Sequence, residues 1–322
     1  MPDESKTEEF KPSPFVHLHV HSHYSMLDGM GKIPDLVAKA KADGQTALAI
    51  TDHGVMHGAI EFYEECEKEG ILPLIGVEIY MAPRTLKDKT PRIDANPYHL
   101  VLIAKNEEGY KNLLKITTIA HLEGYYYKPR IDKATLKKHS AGLIALSACL
   151  QGEIPRKALE NMDRARGAIL EYKEIFPNGD FYLEVQKHPS IQIQDRVNKL
   201  ILQLAKETGL KVVATCDTHY VNPDDAIAQD ALICLQTGRI LSDTNRMSMK
   251  GDDYSLKTTA EMMANFPDNP ETITNTQEIA EKCNLHLELG GMIFPVFPVP
   301  ENYSIESYFM EKAYLGLNWR YG

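Results

Sequence analysis

At 322 residues, 43% of them hydrophobic, the chain can form two average domains or one α/β barrel with a sizeable core. Its formal net charge of −10 excludes a domain that grips duplex DNA by charge alone, although a site that gathers carboxylates for metal is itself locally acidic. The cysteines (Cys66, Cys149, Cys216, Cys234 and Cys283) are odd in number, scattered and without a CxxC pair, which excludes a disulfide framework.

Met1 to Pro14 is rich in Pro, Glu, Lys and Ser, lacks a hydrophobic signal region, and reads as a disordered tail. No segment is apolar enough to cross a membrane, so a cytoplasmic protein without membrane contact is expected. From Phe15 a strand–helix rhythm begins. FVHLHV is a short β-prone run, IPDLVAKAKADG an amphipathic helix stopped by Gly44, and TALAIT a second strand. AIEFYEECEKEG is a helix closed by Gly70, PLIGVEIYMA a third strand and YHLVLIA a fourth, followed by a helix from Glu107 to about His121. GLIALSA, FYLEVQ and KVVATCD complete seven strands, with helical stretches between them. Such alternation implies a parallel sheet with crossover connections, and seven units in a row favour a closed barrel. After Asp217 come a helix around Pro223 to Leu235, the polar loop TNRMSMKGDDYS, and helices near Thr259–Phe266 and Pro270–Cys283. GGMIFPVFPVPENYS is Pro-rich and extended, and a last helix from Ile305 to about Arg320 stops abruptly at Gly322, as at a boundary inside a longer protein. The expected organisation is a tail over 1–14, one domain over 15–285, and a linker with the first helix of a following region over 286–322.

Ligand-type residues fall at the ends of these strands. In His17-Leu-His-Val-His-Ser-His23, strand alternation puts His19 and His21 on one face, roughly 7 Å apart, with His17 deeper on the same face. Asp217-Thr-His219 mirrors the pair at the last strand, and Asp52-His53, Glu78, His99 and Cys149 sit at or beside the ends of strands between them. The C-terminal rim of a parallel barrel is where active sites gather. Singly, each residue has a bland reading: a hydrogen-bonded histidine, an ion-pair partner, a core thiol. Together, HxH at the first strand and DxH at the last point to a shared metal site.

The segments FVHLHVHSHYSMLDG, ALAITDHGVMHGAIEFY, PLIGVEIY, LSACLQGEIP and VVATCDTHY closely resemble the successive motifs of the polymerase and histidinol phosphatase (PHP) domain in bacterial DNA polymerase III alpha subunits. The resemblance spans about Phe15 to Cys283, and GYYYKPRID and the stretch from Thr272 to Pro300 resemble the polymerase subfamily rather than stand-alone phosphatases. It implies a distorted seven-stranded (β/α)7 barrel with a C-terminal helical extension leading toward the polymerase core. Its rim would hold up to three divalent ions through His19, His21, Asp28, His53, Glu78, His99, Cys149, Asp217 and His219. By the same resemblance, His19, His21, Glu78 and Asp217 hold one ion, Glu78 bridges to a second at His99 and Cys149, and Asp28, His53 and His219 take the third. The mixed donor set suits zinc, manganese or iron and does not choose among them. No ligand position is missing, whereas some relatives have lost several, an arginine at the His19 position being one such loss, and keep the domain as a scaffold.

The chemistry implied is metal-dependent phosphoester hydrolysis, with His19, His21, Glu78 and Asp217 as the catalytic core. In a replicative polymerase the fitting substrate is a single-stranded or mismatched primer 3′ end, attacked by a proofreading 3′→5′ exonuclease. Tyr126, Lys128 and Arg130, in the stretch YYYKPR, are the candidates for nucleic-acid contact, rings stacking on bases and cations meeting phosphates. Two other functions use the same residues. One is a metal-stabilised scaffold that steadies the rest of the alpha subunit in cis and docks a separate exonuclease subunit or other replisome proteins. The other is a small-molecule phosphatase or pyrophosphatase. The complete ligand set favours the nuclease over the scaffold, and the polymerase-like segments disfavour the third reading. The polymerase carboxylates are not found in this chain. Of the other histidines, His23 and His57 are expected near the cleft, and His121, His139, His188 and His286 as surface or packing residues.

Overall fold

The computed structural model describes residues 13–26, 28–292 and 294–322, so most of the expected tail lies outside it. Ser13, within the range assigned to that tail, is buried, with its hydroxyl 2.6 Å from that of Thr259. The strands are β1 (Ala47–Ile50), β2 (Leu72–Met81), β3 (Tyr98–Ala104), β4 (Arg130–Ile131), β5 (Leu143–Leu146), β6 (Phe181–Gln186) and β7 (Val212–Thr215). Helices α1 (Ile33–Ala42), α2 (Ala59–Glu69), α3 (Glu107–Leu122), α4 (Lys133–Lys138), α5 (Glu153–Glu160), α6 (Met162–Ile175) and α7 (Gln194–Thr208) lie between them. α8 (Ala226–Thr237), α9 (Thr259–Asn265) and α10 (Glu271–Glu281) follow. α2 stops where the sequence places its stop, at Gly70, whose φ of 72° a side chain would resist.

The sheet runs β1-β2-β3-β5-β6-β7, with β4 paired to β2 off this path. It is not all parallel, because β3 runs antiparallel to both β2 and β5. The cause is the connection: the segment between β2 and β3 is Pro-rich and charged and forms no crossover helix, so the chain turns back on itself. The edges β1 and β7 are joined through FVHLHV. On one side Ala49 N–H donates to His17 O at 2.9 Å and Thr51 N–H to Val20 O at 2.8 Å. On the other, Thr218 N–H donates to His19 O at 3.1 Å and His21 N–H to Thr218 O at 2.8 Å. The result is a distorted seven-stranded barrel that this segment closes.

That closing segment is irregular. Two residues lie between His17 and Val20 where one lies between Ala49 and Thr51, so one extra residue is inserted against β1, as in a bulge. Val16 and Leu18 therefore join the barrel interior with Ala49, Leu74, Val101, Ile144, Tyr182 and Val213, while His19 and His21 still reach the site above it. His17 does not share their face: it bonds Lys257 O at 2.8 Å and meets Cys216 Sγ at 3.5 Å. A second core packs the other face of the strands, including Val77, Leu102 and Leu183, against α3, α5, α6 and α7.

Arg130 corrects the expected nucleic-acid contact. Its side chain is fully buried, and its guanidinium donates to the carbonyls of Gly124, Leu86, Asp88 and Asp94 at 3.0 to 3.3 Å. It is spent on holding the β2–β3 loop and is not free to meet phosphate. A second compact unit runs Leu287–Gly322 and contains α11 (Ile305–Tyr321), whose first turn is capped by the Ser304 hydroxyl accepting from Ser307 N–H. Among the described residues no helix is long and apolar enough to cross a membrane. Substituting Arg130→Met, which keeps the stem and strands four buried carbonyls, is expected to cost about 3 kcal/mol. Denaturant unfolding measures this, and a midpoint equal to the parent's would show that the guanidinium is dispensable.

Candidate metal centre

The sequence sends ligand-type side chains from successive strand ends into one place. Glu78 projects from β2 with its backbone N–H held by Thr51 O and Asp52 O and its carbonyl by Gly54 N–H. Its carboxylate, 1% exposed, lies among four histidines. Oε1 is 2.7 Å from His99 Nδ1 and 3.4 Å from His19 Nε2, and Oε2 is 2.6 Å from His53 Nδ1 and 3.8 Å from His21 Nε2. Asp217 Oδ1 lies 3.3 Å from His19 Nε2 and 3.2 Å from His21 Nε2, and Asp28 Oδ2 lies 3.3 Å from His53 Nε2. Cys149 Sγ is 3.8 Å from His99 Nδ1. Three donor groups each span less than 4.8 Å: His19, His21 and Asp217; Glu78, His99 and Cys149; His21, His53 and His219. Asp217 and Ala148, which precedes Cys149, hold left-handed backbones at φ 50° and 61°, a strain that clusters at functional sites.

A further layer of groups sets which ring nitrogens are free. His19 Nδ1 bonds the buried carboxylate of Glu184 at 2.8 Å. Ser25 Oγ donates to Asp52 at 2.7 Å, so it must accept from His21 Nδ1–H at 2.9 Å. His219 Nδ1–H donates to Asp217 O at 2.7 Å. Each ring thereby leaves Nε2 for another partner, the arrangement metal-bound histidines adopt. His19 Nε2, His21 Nε2, Asp217 Oδ1 and Asp28 Oδ1 are buried and make no hydrogen bond. Buried polar atoms left unpartnered are costly, and these four fit a bound cation.

The electrostatics alternate in sign. Burial opposes charge on His19, but Glu184 and Asp217 outweigh it and hold the ring's pKa well above its ordinary value. Burial likewise opposes charge on His53, yet Glu78 and Asp28 raise it to about 10. His21 is instead pushed down to about 3 by burial and by the charges of His53 and His219. Against their own burial, Glu78 is held well below the carboxylate range by His99 and His53, and Asp28 falls to about 2 beside His53. Burial, Asp217 and Glu78 raise the Cys149 thiol well above its usual value. Without metal, protons on His19 and His53 do the work of cations.

Residues 17–188 match the family model described as "PHP domain". The chain belongs to the PHP domain family. It is 47% identical to DNA polymerase III subunit alpha of Borreliella burgdorferi over 96% of this chain and 27% of that protein. The same subunit of Treponema pallidum is 41% identical over 95% of this chain and 26% of its own length. The chain thus spans about a quarter of the curated relatives it matches. Among solved structures, an amidohydrolase from Chromobacterium violaceum is 17% identical at a TM-score of 0.43, covering 64% of this chain and 87% of its own.

The PHP site opens into a cleft of about 630 Å³ lined by Asp28, His53, His99, Cys149, Asp217 and His219 together with Tyr80 and Lys128. All nine residues expected as ligands take part in the carboxylate, histidine and thiol contacts described above. Of the residues expected at nucleic acid, Lys128 is exposed on the cleft, 5.2 Å above the Tyr80 ring, whereas Tyr126 lies under the Arg130 guanidinium and Tyr127 lines an adjoining cavity instead. His23 lines a separate cavity and His57 is exposed. Sequence reasoning missed Glu184, Ser25, Gln194 and His188. Glu184 left one signal, a polar residue alternating with apolar ones in FYLEVQ; His188, expected on the surface or in packing, is buried on the cleft wall.

Since His19 and His53 carry raised pKa values and Cys149 keeps its proton, metal must displace protons, and apparent affinity falls as pH falls through neutrality toward 5. Zinc titration calorimetry in buffers of differing ionisation enthalpy is expected to show net proton release, and none would contradict the assigned donors. Glu184→Gln, which weakens the orientation of His19, is expected to lower metal affinity by roughly 10- to 100-fold with little change in fold. Competition against a chelator reads it.

Proposed function

We propose that this chain is the PHP domain of a bacterial DNA polymerase III alpha subunit, with the domain over 15–285 and 286–322 leading into the rest of that subunit. On this reading it is a cytoplasmic metal-dependent phosphodiesterase that removes nucleotides from primer 3′ ends. The observation that carries it is the gathering of buried His19, His21, Asp28 and Asp217 atoms without hydrogen-bond partners, with Asp28 and Asp217 on the wall of the cleft and His19 and His21 beneath it. Above those buried atoms His53 and His99 remain part-exposed on the cleft, which gives a substrate a side from which to approach.

His19, His21, Glu78 and Asp217 would hold one ion, Glu78, His99 and Cys149 a second, and Asp28, His53 and His219 a third. Bound divalent ions supply hydroxide at neutral pH and neutralise charge on the phosphate and leaving oxygen. The chain's own part is to fix the donors. Glu184 and Ser25 orient the rings of His19 and His21, and the depressed pKa values of Asp28, Glu78 and Asp217 keep those carboxylates ionised. Lys128 lines the cleft, and on this reading it would meet a flanking phosphate.

A 5′-labelled primer with a mismatched 3′ end, incubated with chelator-stripped protein and titrated with Mn²⁺ or Zn²⁺, tests the reading. Stepwise shortening from the 3′ end is expected, lost by about a hundredfold or more in His21→Ala or Asp217→Asn. No cleavage by folded, metal-loaded protein would overturn the nuclease and leave the domain as a scaffold for the polymerase and a separate exonuclease subunit.

A further inference from the structure

One wall of the cleft holds polar atoms that the metal centre does not use. His188, in the loop after β6, is 2% exposed and Gln194, the first residue of α7, is 3% exposed, and both line the cleft. Neither ring nitrogen of His188 has a hydrogen-bond partner, nor does Gln194 Oε1. A histidine buried for packing finds a partner, as His17 does at Lys257 O. His188 belongs to none of the three-donor groups among the described residues, so a shared ion does not account for it.

The fold fixes both side chains. The His188 ring stacks on Tyr254, centroids 4.3 Å apart and 21° from parallel, so its edges rather than its faces are free. Tyr254 is itself tied to the centre, its carbonyl accepting His219 N–H at 2.9 Å. Asn198 Nδ2 donates to Gln186 O at 2.7 Å, which leaves Asn198 Oδ1 to accept from Gln194 Nε2 at 3.1 Å. That chain of bonds settles the orientation of the Gln194 amide and leaves its oxygen, an acceptor, as the free atom. Burial lowers the His188 pKa, so the ring offers one N–H and one lone pair.

A wall of one donor and two acceptors, all neutral, repels a phosphate oxygen and suits a group that both donates and accepts. We propose that His188 and Gln194 form a subsite that binds the free 3′-hydroxyl of the terminal nucleotide. The identity of this ligand rests on the nuclease reading: internal nucleotides have their 3′-oxygen esterified, so a hydroxyl-binding wall distinguishes a strand end from its middle. His188 and Gln194 are then residues of end specificity, separate from the groups that hold metal.

The test compares primers ending in a 3′-hydroxyl with primers ending in a 2′,3′-dideoxynucleotide, and in parallel the calorimetric binding of thymidine 5′-monophosphate and its 3′-deoxy analogue to Zn²⁺-loaded protein. The parent protein is expected to favour the hydroxyl by about five- to tenfold in both. His188→Ala and Gln194→Leu should bring both ratios near one at unchanged metal content, and His188→Asn, which keeps a donor, should recover part of the preference. A parent that ignores the hydroxyl, or variants that keep its ratio, overturns the subsite. If the parent cuts no DNA yet binds the hydroxylated monophosphate better through His188, the nuclease reading falls and the subsite stands. If it shortens both primers equally, the reverse holds.

Discussion

An ionised carboxylate taken out of water costs several kcal/mol unless its oxygens are met by charge or by hydrogen-bond donors, and Glu78 is such a group. Its two oxygens are divided among His99, His19, His53 and His21. Burial, and then the charges of His53 and His219, drive His21 neutral, while His19 and His53 keep protons beside further carboxylates. Asp217 and Asp28 complete the alternation. The same geometry can thus be neutralised by protons or, on the proposed reading, by divalent ions. Exchange of one for the other would couple metal occupancy to pH without any moving part.

What brings these groups together is a fault in the ladder. Had FVHLHV paired regularly with β1, the residues facing the barrel interior would alternate strictly, and Val16 and Leu18 could not point inward together with His19 and His21. The extra residue between His17 and Val20 shifts the face once, so the lower half of the segment fills the core and the upper half supplies ligands. His17 is left on the other side, bonded to Lys257. The bulge is a specific device of this barrel, placed at the strand that both closes the sheet and opens the site.

The sequence pattern reveals the strand–helix order well because each apolar run is bounded by its own stop, as at Gly70, and each ligand type sits at a run's end. It does not reveal the bulge, since period-2 alternation assigns His17, His19 and His21 to one face, and only the register against Thr51 shows otherwise. It also misreads β3: the direction of a strand depends on its connection, and the missing crossover helix before Tyr98 was the available signal. Arg130 is misread for a different reason. Beside three tyrosines and a lysine it looks like a phosphate contact, but a guanidinium with four carbonyl partners is a structural cross-link, visible only once the loop from Leu86 to Asp94 has folded around it. Glu184 and His188 lie on or just after one strand and find their roles through residues far away in sequence, His19 and Tyr254.

The burial of Arg130 also changes how an acidic domain could engage nucleic acid. Among the described residues lining the cleft, Lys128 is the only lysine or arginine. A backbone-gripping site would multiply such cations and bind with a strong dependence on salt. Here the positive charge facing a phosphate must come from whatever the carboxylates and imidazoles hold, and the rest of the wall is neutral and hydrogen-bonding. On the proposed reading, affinity in such a cleft would depend on metal occupancy first and on the shape of the strand's end second. On that same reading the division fits a site that samples ends rather than one that holds duplex, and it is compatible with a net charge of −10.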